Sequence, residues 1–380
     1  KYGFKTGATP SSGKKEFYEG HLRWANIGDI DNEIIFDTNN HITQEAVNSC
    51  NMTISPKGSL LYSFKLSVGQ VAFCGEDMYT NEAIATFESR KQNLKYLYYI
   101  APQFIIHNAN RNIYNAPLLN QDLIKNAVII LPPKREQDKI VAYLDEKCGK
   151  INGSIDVQKR KIELLNELKQ TIITNAVTKG LNPDAPMKDS GVEWIGQVPE
   201  HWKIKRTRFL CNIQTGDKDT VNREDDGLYP FFVRSPKVER INTYSFDGEG
   251  VLMAGDGVGA GKVFHYANGK FDYHQRVYNL HNFRDVSGLF FYYYISNKFR
   301  YIIEEGAAKN TVDSVRLNMI QDFWMTIPPT SEQQSIVKFI DEEVSQIDIQ
   351  ISKANRRIEL LNELKQSIIT EAVTGKIKVC

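Results

Sequence analysis

The sequence comes closest to a reactive site at Gly255–Lys262, GDGVGAGK, which has the glycines and the lysine of a phosphate-cradling loop. The spacing excludes that chemistry. Asp256 stands where the first glycine of G-x-x-x-x-G-K-[ST] is needed, and Val263 replaces the metal-binding hydroxyl. A glycine-rich turn next to a strand accounts for the stretch. The Pro132-Pro133 and Pro328-Pro329 pairs lack the preceding Asn or Asp and the following aromatic of an amino-methylating loop. Seven histidines show no H-E-x-x-H and no paired metal spacing. Five cysteines (Cys50, Cys74, Cys148, Cys211, Cys380) form no C-x-x-C pair and read as reduced thiols rather than a disulfide frame or a zinc site. No Ser/His/Asp or Cys/His set stands out. These residues describe a chain that binds, with no cofactor or metal of its own.

Binding chemistry is offered where basic, amide and aromatic residues share a loop. In the first half these are Lys14 and Lys15, Arg23 beside Trp24, Arg90 with Lys91, and HNANRN with Asn108, Asn110 and Arg111. In the second half they are Lys218, Arg223, Arg234, Lys237, Arg240, the run His274-Gln275-Arg276, and Lys309-Asn310. Arg forks onto guanine, Asn and Gln onto adenine, and Lys and Arg neutralise phosphates, so this mixture suits duplex DNA. Most surface cations are only solvated, and His274 reads equally well as a satisfied turn residue. The formal net charge is +1, so a nucleic-acid surface has to come from local clustering.

The elements that would hold those loops are announced by a repeat. KIELLNELKQTIIT, Lys161–Thr174, returns as RIELLNELKQSIIT, Arg357–Thr370. Residues 131–180 align with 327–376 without a gap, and about half of the roughly fifty pairs are identical. Both copies open on Pro-Pro, continue with Glu136-Gln137 or Glu332-Gln333, and close on Ala-Val-Thr. Proline is tolerated at a helix start; Thr330 or Ser331 can cap the second copy, with Glu332 or Gln333 in its first turn. Gly180 with Pro183, and Gly375, supply stops. Each helix is predicted to run about 40 residues, about 60 Å.

Apolar residues in both copies alternate at spacings of four and three. The first copy gives Leu144, Cys148, Ile151, Ile155, Gln158, Ile162, Leu165, Lys169, Ile172 and Ala176. The second gives Ile340, Val344, Ile347, Ile351, Ala354, Ile358, Leu361, Lys365, Ile368 and Ala372. A period near 3.5 over about five heptads is a coiled-coil seam, and its lysines set register and partner. The partner could be the other copy, a second chain or another protein. The intramolecular antiparallel pair is favoured, because a rod with like ends explains why the seam repeats while the intervening segments differ.

With 41% hydrophobic and 24% charged residues, the 380-residue sequence has room for about two or three domains, and no apolar run reaches the roughly 18–20 residues of a membrane span. The segments outside the repeat are rich in Tyr, Phe, Gly and β-branched residues. Gly69–Gly75, Gly250–Gly257 and Lys262–Tyr266 read as strands, and so do Ala127–Leu131 and Phe323–Ile327 ahead of each Pro-Pro. Gln92–Phe104 and Ser287–Phe299 read as helices sharing Y-Y-I-x-x-x-F at Tyr98–Phe104 and Tyr293–Phe299, so both segments are expected to be one α+β fold. A polar, Pro/Gly-rich lead-in, Leu181–Trp202, precedes the second with Trp194 and Trp202 as anchors. Matching Thr6-Gly7 to Thr215-Gly216 places residue 1 already inside the first, so about 20–30 further residues are expected ahead of it.

Taken together, the P-P-x-x-E-Q and R-x-I-E-L-L-N-E-L-K-Q-x-I-I-T helices, the lead-in MKDSGVEWIGQVPEHW, and GATPS, WANIGDI and FDGEGVLMAGDG resemble the DNA-specificity subunits of type I restriction-modification enzymes over the whole chain. The resemblance implies an α+β chain with two α/β target-recognition domains, separated by two long antiparallel helices forming an intramolecular coiled coil with pseudo-twofold repeat. The boundaries expected are 1–131 for the first recognition domain, 132–180 for the first helical spacer, 181–200 for the linker, 201–327 for the second recognition domain and 328–380 for the second spacer. It further implies double-stranded DNA with a bipartite site as ligand, half-sites about 34–36 Å apart for one turn, which a rod of that length can span. Two modification (methyltransferase) subunits that bind S-adenosylmethionine and methylate adenine N6 dock on the helices and recognition domains. Restriction subunits, where present, add ATP- and Mg-dependent cleavage. The chain itself is then non-catalytic, cytoplasmic and bacterial or archaeal. Two rival readings are a coiled-coil adaptor binding proteins or glycans, and an enzyme in its own right.

Overall fold

The computed structural model describes residues 2–379 apart from 66, 90, 112–114 and 308–313, with the backbone alone at 305–307. Three of the binding candidates, Arg90, Lys309 and Asn310, lie outside the described residues. The chain divides into two compact units: Lys1–Gln158 with Arg356–Cys380, and Lys159–Asn355. Each unit holds one sheet module, the first part of one long helix and the last part of the other.

The long helices are α2, Lys134–Lys179, with 46 residues, and α4, Thr330–Val373, with 44. Each begins on its Pro-Pro. The carbonyl of Pro133 accepts from the backbone N–H groups of Glu136 and Gln137, and that of Pro329 accepts from Glu332 and Gln333. Each stops at a glycine in the left-handed region, Gly180 at φ 74° and Gly375 at φ 73°, where a side chain would be strained.

Within each unit the helix pair is antiparallel. In the first, Ile140, Leu144 and Cys148 share a core with Ile369, Ala372 and Val373, and Lys365 Nζ donates to Asn152 Oδ1 at 2.9 Å. In the second, Ile336 and Ile340 share a core with Ile173, Ala176 and Val177, and Lys169 Nζ donates to Asp348 at 2.8 Å. Lys169 and Lys365 are repeat counterparts, as are Asn152 and Asp348, so both units hold the pair in one register. Leu144, Cys148, Ile151, Ile155, Leu165, Ile340, Ile347 and Ala354 are buried; Ile162, Val344, Ile351, Ile358 and Leu361 are half-buried. Toward each helix C-terminus the seam departs from strict heptads. Ile172 and Ile368 are half-buried while their neighbours Ile173 and Ile369 are buried, because there a second face packs on the sheet module.

The sheet modules repeat too. In the second unit the strands are β9 (Asn212–Thr215), β10 (Tyr229–Phe232), β11 (Glu239–Ile241), β12 (Phe246–Ala254), β13 (Phe264–Tyr273) and β14 (Val277–His281). They form one sheet in the order β9-β14-β12-β13-β10-β11, with β10 parallel to β13 and every other pair antiparallel. In the first unit β1 (Gly3–Thr6), β7 (Ile84–Glu88), β4 (Leu60–Ser63) and β5 (Val71–Cys74) lie in that order, with a two-residue strand, Ile34–Ile35, parallel to β5. A companion sheet orders β3 (Asn40–Ile42), β2 (Leu22–Ala25) and β6 (Tyr79–Thr80), with β2 parallel to β6. The long strand β13 corresponds to β5 and β6 interrupted at residues 75–78; the rest of the order is the same. Gly7 and Gly216 fall at one place in this scheme. A Cβ on Gly7 would collide with the carbonyl of Thr80, and one on Gly216 with that of Tyr273, so both modules need glycine where the first strand leaves the sheet.

A helix packs on each sheet: α1, Leu94–Phe104, capped by Asn93, and α3, Gly288–Lys298, capped by Ser287. The shared Y-Y-I-x-x-x-F is one residue out of structural register. Counted from their caps, Tyr99 is the counterpart of Tyr293, and each donates its hydroxyl to a long-helix aspartate, Asp145 or Asp341. The helix start, not the best letter match, sets the phase. The strand expected at Ala127–Leu131 is absent, whereas its counterpart β15, Trp324–Ile327, pairs with β8, Lys203–Arg206. Among the described residues no strand pairs with residues 127–131.

Candidate nucleic-acid interface

The modules are fixed to the rod by a residue that the sequence marked only as part of the repeat. Gln333, 1% exposed, accepts from the backbone N–H of Ser287 through Oε1 (2.8 Å). Its Nε2 donates to the carbonyls of Asp285 and Pro328, both at 2.9 Å. Gln137, fully buried, does the same in the first unit, accepting from Asn93 N–H (3.1 Å) and donating to Pro132 O (2.8 Å). Both caps belong to the sheet-packing helices, so one amide locks each module to the start of a long helix. The other long helix holds the opposite end. Asn297 donates to Gln170 and accepts from Thr174; Gln103 donates to Gln366, and its Oε1 accepts from Thr370. A buried Gln at a fixed place after each Pro-Pro was the available signal.

The β11 edge of the second sheet and the matching β3–β2 edge of the first carry basic groups. In the second unit Arg223 and Lys237 both face Glu239 of β11, at 3.8 and 3.2 Å. Arg240, on the same strand, is exposed but held by the protein: its Nε and Nη2 donate to the carbonyls of Gly227 and Leu228. In the first unit Arg23 of β2 lies 3.4 Å from Asp37 and opposite His41 of β3, with Lys14 over the ring of Phe17 and Lys15 in the same short turn. A backbone N–H from Thr38, then His41 and Arg23, hold the Asp37 carboxyl below the usual range. The structure thus brings Lys14, Lys15 and Arg23 together, and Arg223, Lys237 and Arg240 together, at corresponding edges of corresponding sheets.

A second basic cluster surrounds the glycine-rich turn after β12. Asp256 receives Arg234 (3.0 Å) and Arg276 (3.6 Å), two guanidinium groups on one carboxylate, which leaves net positive charge exposed. Beside it, Gln275 Nε2 donates to Asp219 (2.8 Å) and Lys218 O accepts from Gln275 N–H. His274 is 2% exposed, and its Nδ1 accepts from the Arg276 backbone N–H. Burial, then Arg234, depresses its pKa and keeps it neutral. It shapes the turn that presents Arg276 rather than offering its own ring. The close approach of Gly259 to the Arg234 carbonyl shows why this turn is glycine-rich. Of the remaining candidates, Lys91 sits before α1, near the clamp. Asn108, Asn110 and Arg111 follow its other end, where Asn108 donates to Leu123 O and Arg111 to Asn115 O.

Each unit sets a sheet module against an antiparallel helix pair and carries basic groups at one sheet edge, the make-up of a repeat-built binding protein. Residues 2–167 and 199–361 match the type I restriction modification DNA specificity domain, and the chain belongs to that family. It is similar to the type I restriction enzyme EcoDI specificity subunit of Escherichia coli, 29% identical over 182 residues, which are 48% of this chain and 40% of that one. The MjaIX specificity subunit of Methanocaldococcus jannaschii is 25% identical over 220 residues, 55% of this chain and 49% of the relative. The chain therefore spans less than half the length of these two curated relatives. In fold it matches a chain from a solved structure on complex assembly and conformational transition of the type I R-M system, with TM-score 0.68 at 15% identity, covering 98% of this chain and 97% of the other.

Proposed function

We propose that the chain is the DNA-reading, non-catalytic specificity subunit of a type I restriction-modification assembly. Each sheet module contacts one half of a bipartite duplex target, and the coiled coil sets the spacer. The observation that supports this most directly is the pairing of a repeated frame with unlike edges: the same sheet order, clamp and register carry Lys14, Lys15 and Arg23 in one module and Arg223, Lys237 and the Arg234–Arg276 cluster in the other. A frame that repeats while its contact residues differ suits a target whose two halves differ in sequence. The relatives named as specificity subunits support the same reading.

The helices also carry surface for partners. Leu164 and Leu168 in α2, and their counterparts Leu360 and Leu364 in α4, lie off the seam and remain exposed. Leucines four apart on a helix face suit docking of another helix. In this reading they receive two methyltransferase subunits, which bring S-adenosylmethionine, and restriction subunits reach the assembly through them. Among the described residues no helix is long and apolar enough to cross a membrane, which suits a cytoplasmic complex.

The test is duplex binding by the purified chain across a salt series, with and without its methyltransferase partner. A DNA reader loses affinity steeply as salt rises, with several phosphates contacted. Salt-independent binding, or binding to proteins or glycans but not DNA, would favour the adaptor reading. Replacing residues 201–326 should change one half of the recognised sequence; a change in both halves would contradict modular reading.

A further inference from the structure

Three connections of the second sheet meet at the run His274–Arg276. The turn after β9 joins it through Lys218 O, which accepts from Gln275 N–H, and through Asp219, which accepts from Gln275 Nε2 at 2.8 Å. The end of β10 joins through Phe232 O, which accepts from His274 N–H. The turn after β12 joins through Gly255 N–H, which donates to Arg276 O, and through Asp256, which holds Arg234 and Arg276.

Two of these turns hold a valine out into water. Val258, in the glycine-rich turn, is 97% exposed, and Val221, in the short turn that Asp219 starts, is 85% exposed. Among the described residues of the second unit no large apolar side chain is more exposed than these two. Folding gains nothing from either, and a turn of this kind is ordinarily given to Gly, Asn, Asp or Ser. The backbone around Val258 is nonetheless fixed. Gly257 sits at φ 69°, a Cβ on Gly255 would come within 2.9 Å of the Arg276 carbonyl, and Ala260 is buried. The Asp219 N–H donates to Asn222 Oδ1 at 2.8 Å and closes the turn that carries Val221. Each valine is therefore presented on a braced turn, one tied to Arg276 and the other to Gln275.

We infer that Val258, with Val221 on the other side of the cluster, reads thymine. The valine methyl groups press on the C5-methyl group of a thymine in the major groove, while Arg234, Gln275 and Arg276 between them take neighbouring base edges and phosphates. The C5-methyl is the one apolar group that base pairs display in that groove, so it is the feature a valine set among cations and an amide can select. The assignment rests on the DNA reading above and adds which residues discriminate and what they discriminate.

The test uses the chain assembled with its methyltransferase partner and a duplex carrying the target mapped from methylated adenines. Each thymine is replaced in turn by deoxyuridine, which removes the C5-methyl group alone. In the half-site read by the second module, one thymine should lose about fourfold in affinity when its methyl group goes, the worth of one such group taken out of water. Val258→Ser should bind the target more weakly and no longer distinguish thymine from uracil at that position, while keeping the parent's response to changes in the other half-site. Val221→Ser should do likewise at a second thymine. Both valines are exposed, so neither substitution threatens folding. A parent indifferent to every thymine-to-uracil change, or a response undiminished in Val258→Ser, would overturn the inference and leave the DNA reading standing, since sequence-specific binding persists in both results. Absence of sequence-specific duplex binding by the parent would overturn both.

Discussion

Replacing Gln333 by methionine keeps the shape of the side chain and removes its three hydrogen bonds. The Ser287 N–H at the start of α3 and the Pro328 carbonyl, the latter fully enclosed, then lose their partners. A buried polar group left unpaired costs about 1–3 kcal/mol, and the half-buried N–H belongs toward the low end, so the change should destabilise the second unit by about 2–4 kcal/mol. For a unit of this size 1 kcal/mol moves Tm by about 2–4 °C, which predicts a fall of roughly 4–16 °C. Gln137→Met should do the same to the first unit. Calorimetry gives the shift, and hydrogen exchange shows which unit opens, since two units need not melt together. Gln333→Glu should be at least as damaging, because a carboxylate cannot donate to Pro328 and places a charge in a buried site. A Tm within about 1 °C of the parent for both methionine variants would refute the clamp.

Three further outcomes follow. His265, His274 and His281 are each held below the ordinary histidine value of 6.5, by burial first, so the folded second unit binds fewer protons than the unfolded chain. Its stability should be constant from pH 8 to 7 and fall as pH drops below about 6.5 toward the depressed values; a Tm unchanged between pH 7 and 5 would contradict this. Asp348→Asn converts the Lys169 pair into the Lys365–Asn152 pair of the other unit; because Asp348 is exposed, stability should change by less than about 1 kcal/mol, and a larger loss in urea unfolding would count against it. Arg276→Ala and Arg234→Ala should each weaken duplex binding. A phosphate contact lowers the salt slope by about 1, whereas a base contact costs about 1–3 kcal/mol at one base pair, and no effect in either measurement would remove that residue from the interface.

The sequence announced the rod more clearly than the heads. Gap-free repetition, Pro-Pro starts and glycine stops are local signals, and the structure places both helices on them. The seam was legible to the point where a third element joins: Ile173 and Ile369 are buried because the modules cover a second face, which a heptad count cannot anticipate. The common module was visible as a shared helix motif but in the wrong phase, because letters align without reference to the Asn93 and Ser287 caps. Residues 127–131 have strand composition yet no partner strand among the described residues, and a strand is defined by its neighbour. Among the basic candidates, residue type could not separate Arg240 and His274, which brace turns, from Arg276, which faces solvent.

The central claim is that the helix pair is a spacer between two reading modules. Removing one heptad from the middle of both long helices keeps the antiparallel register and shortens the rod by about 10 Å, close to three base-pair steps. Mapping of methylated adenines with the assembled complex should then show the same bases in both half-sites and a spacer about three base pairs shorter. An unchanged spacer, or altered half-site bases, would contradict it.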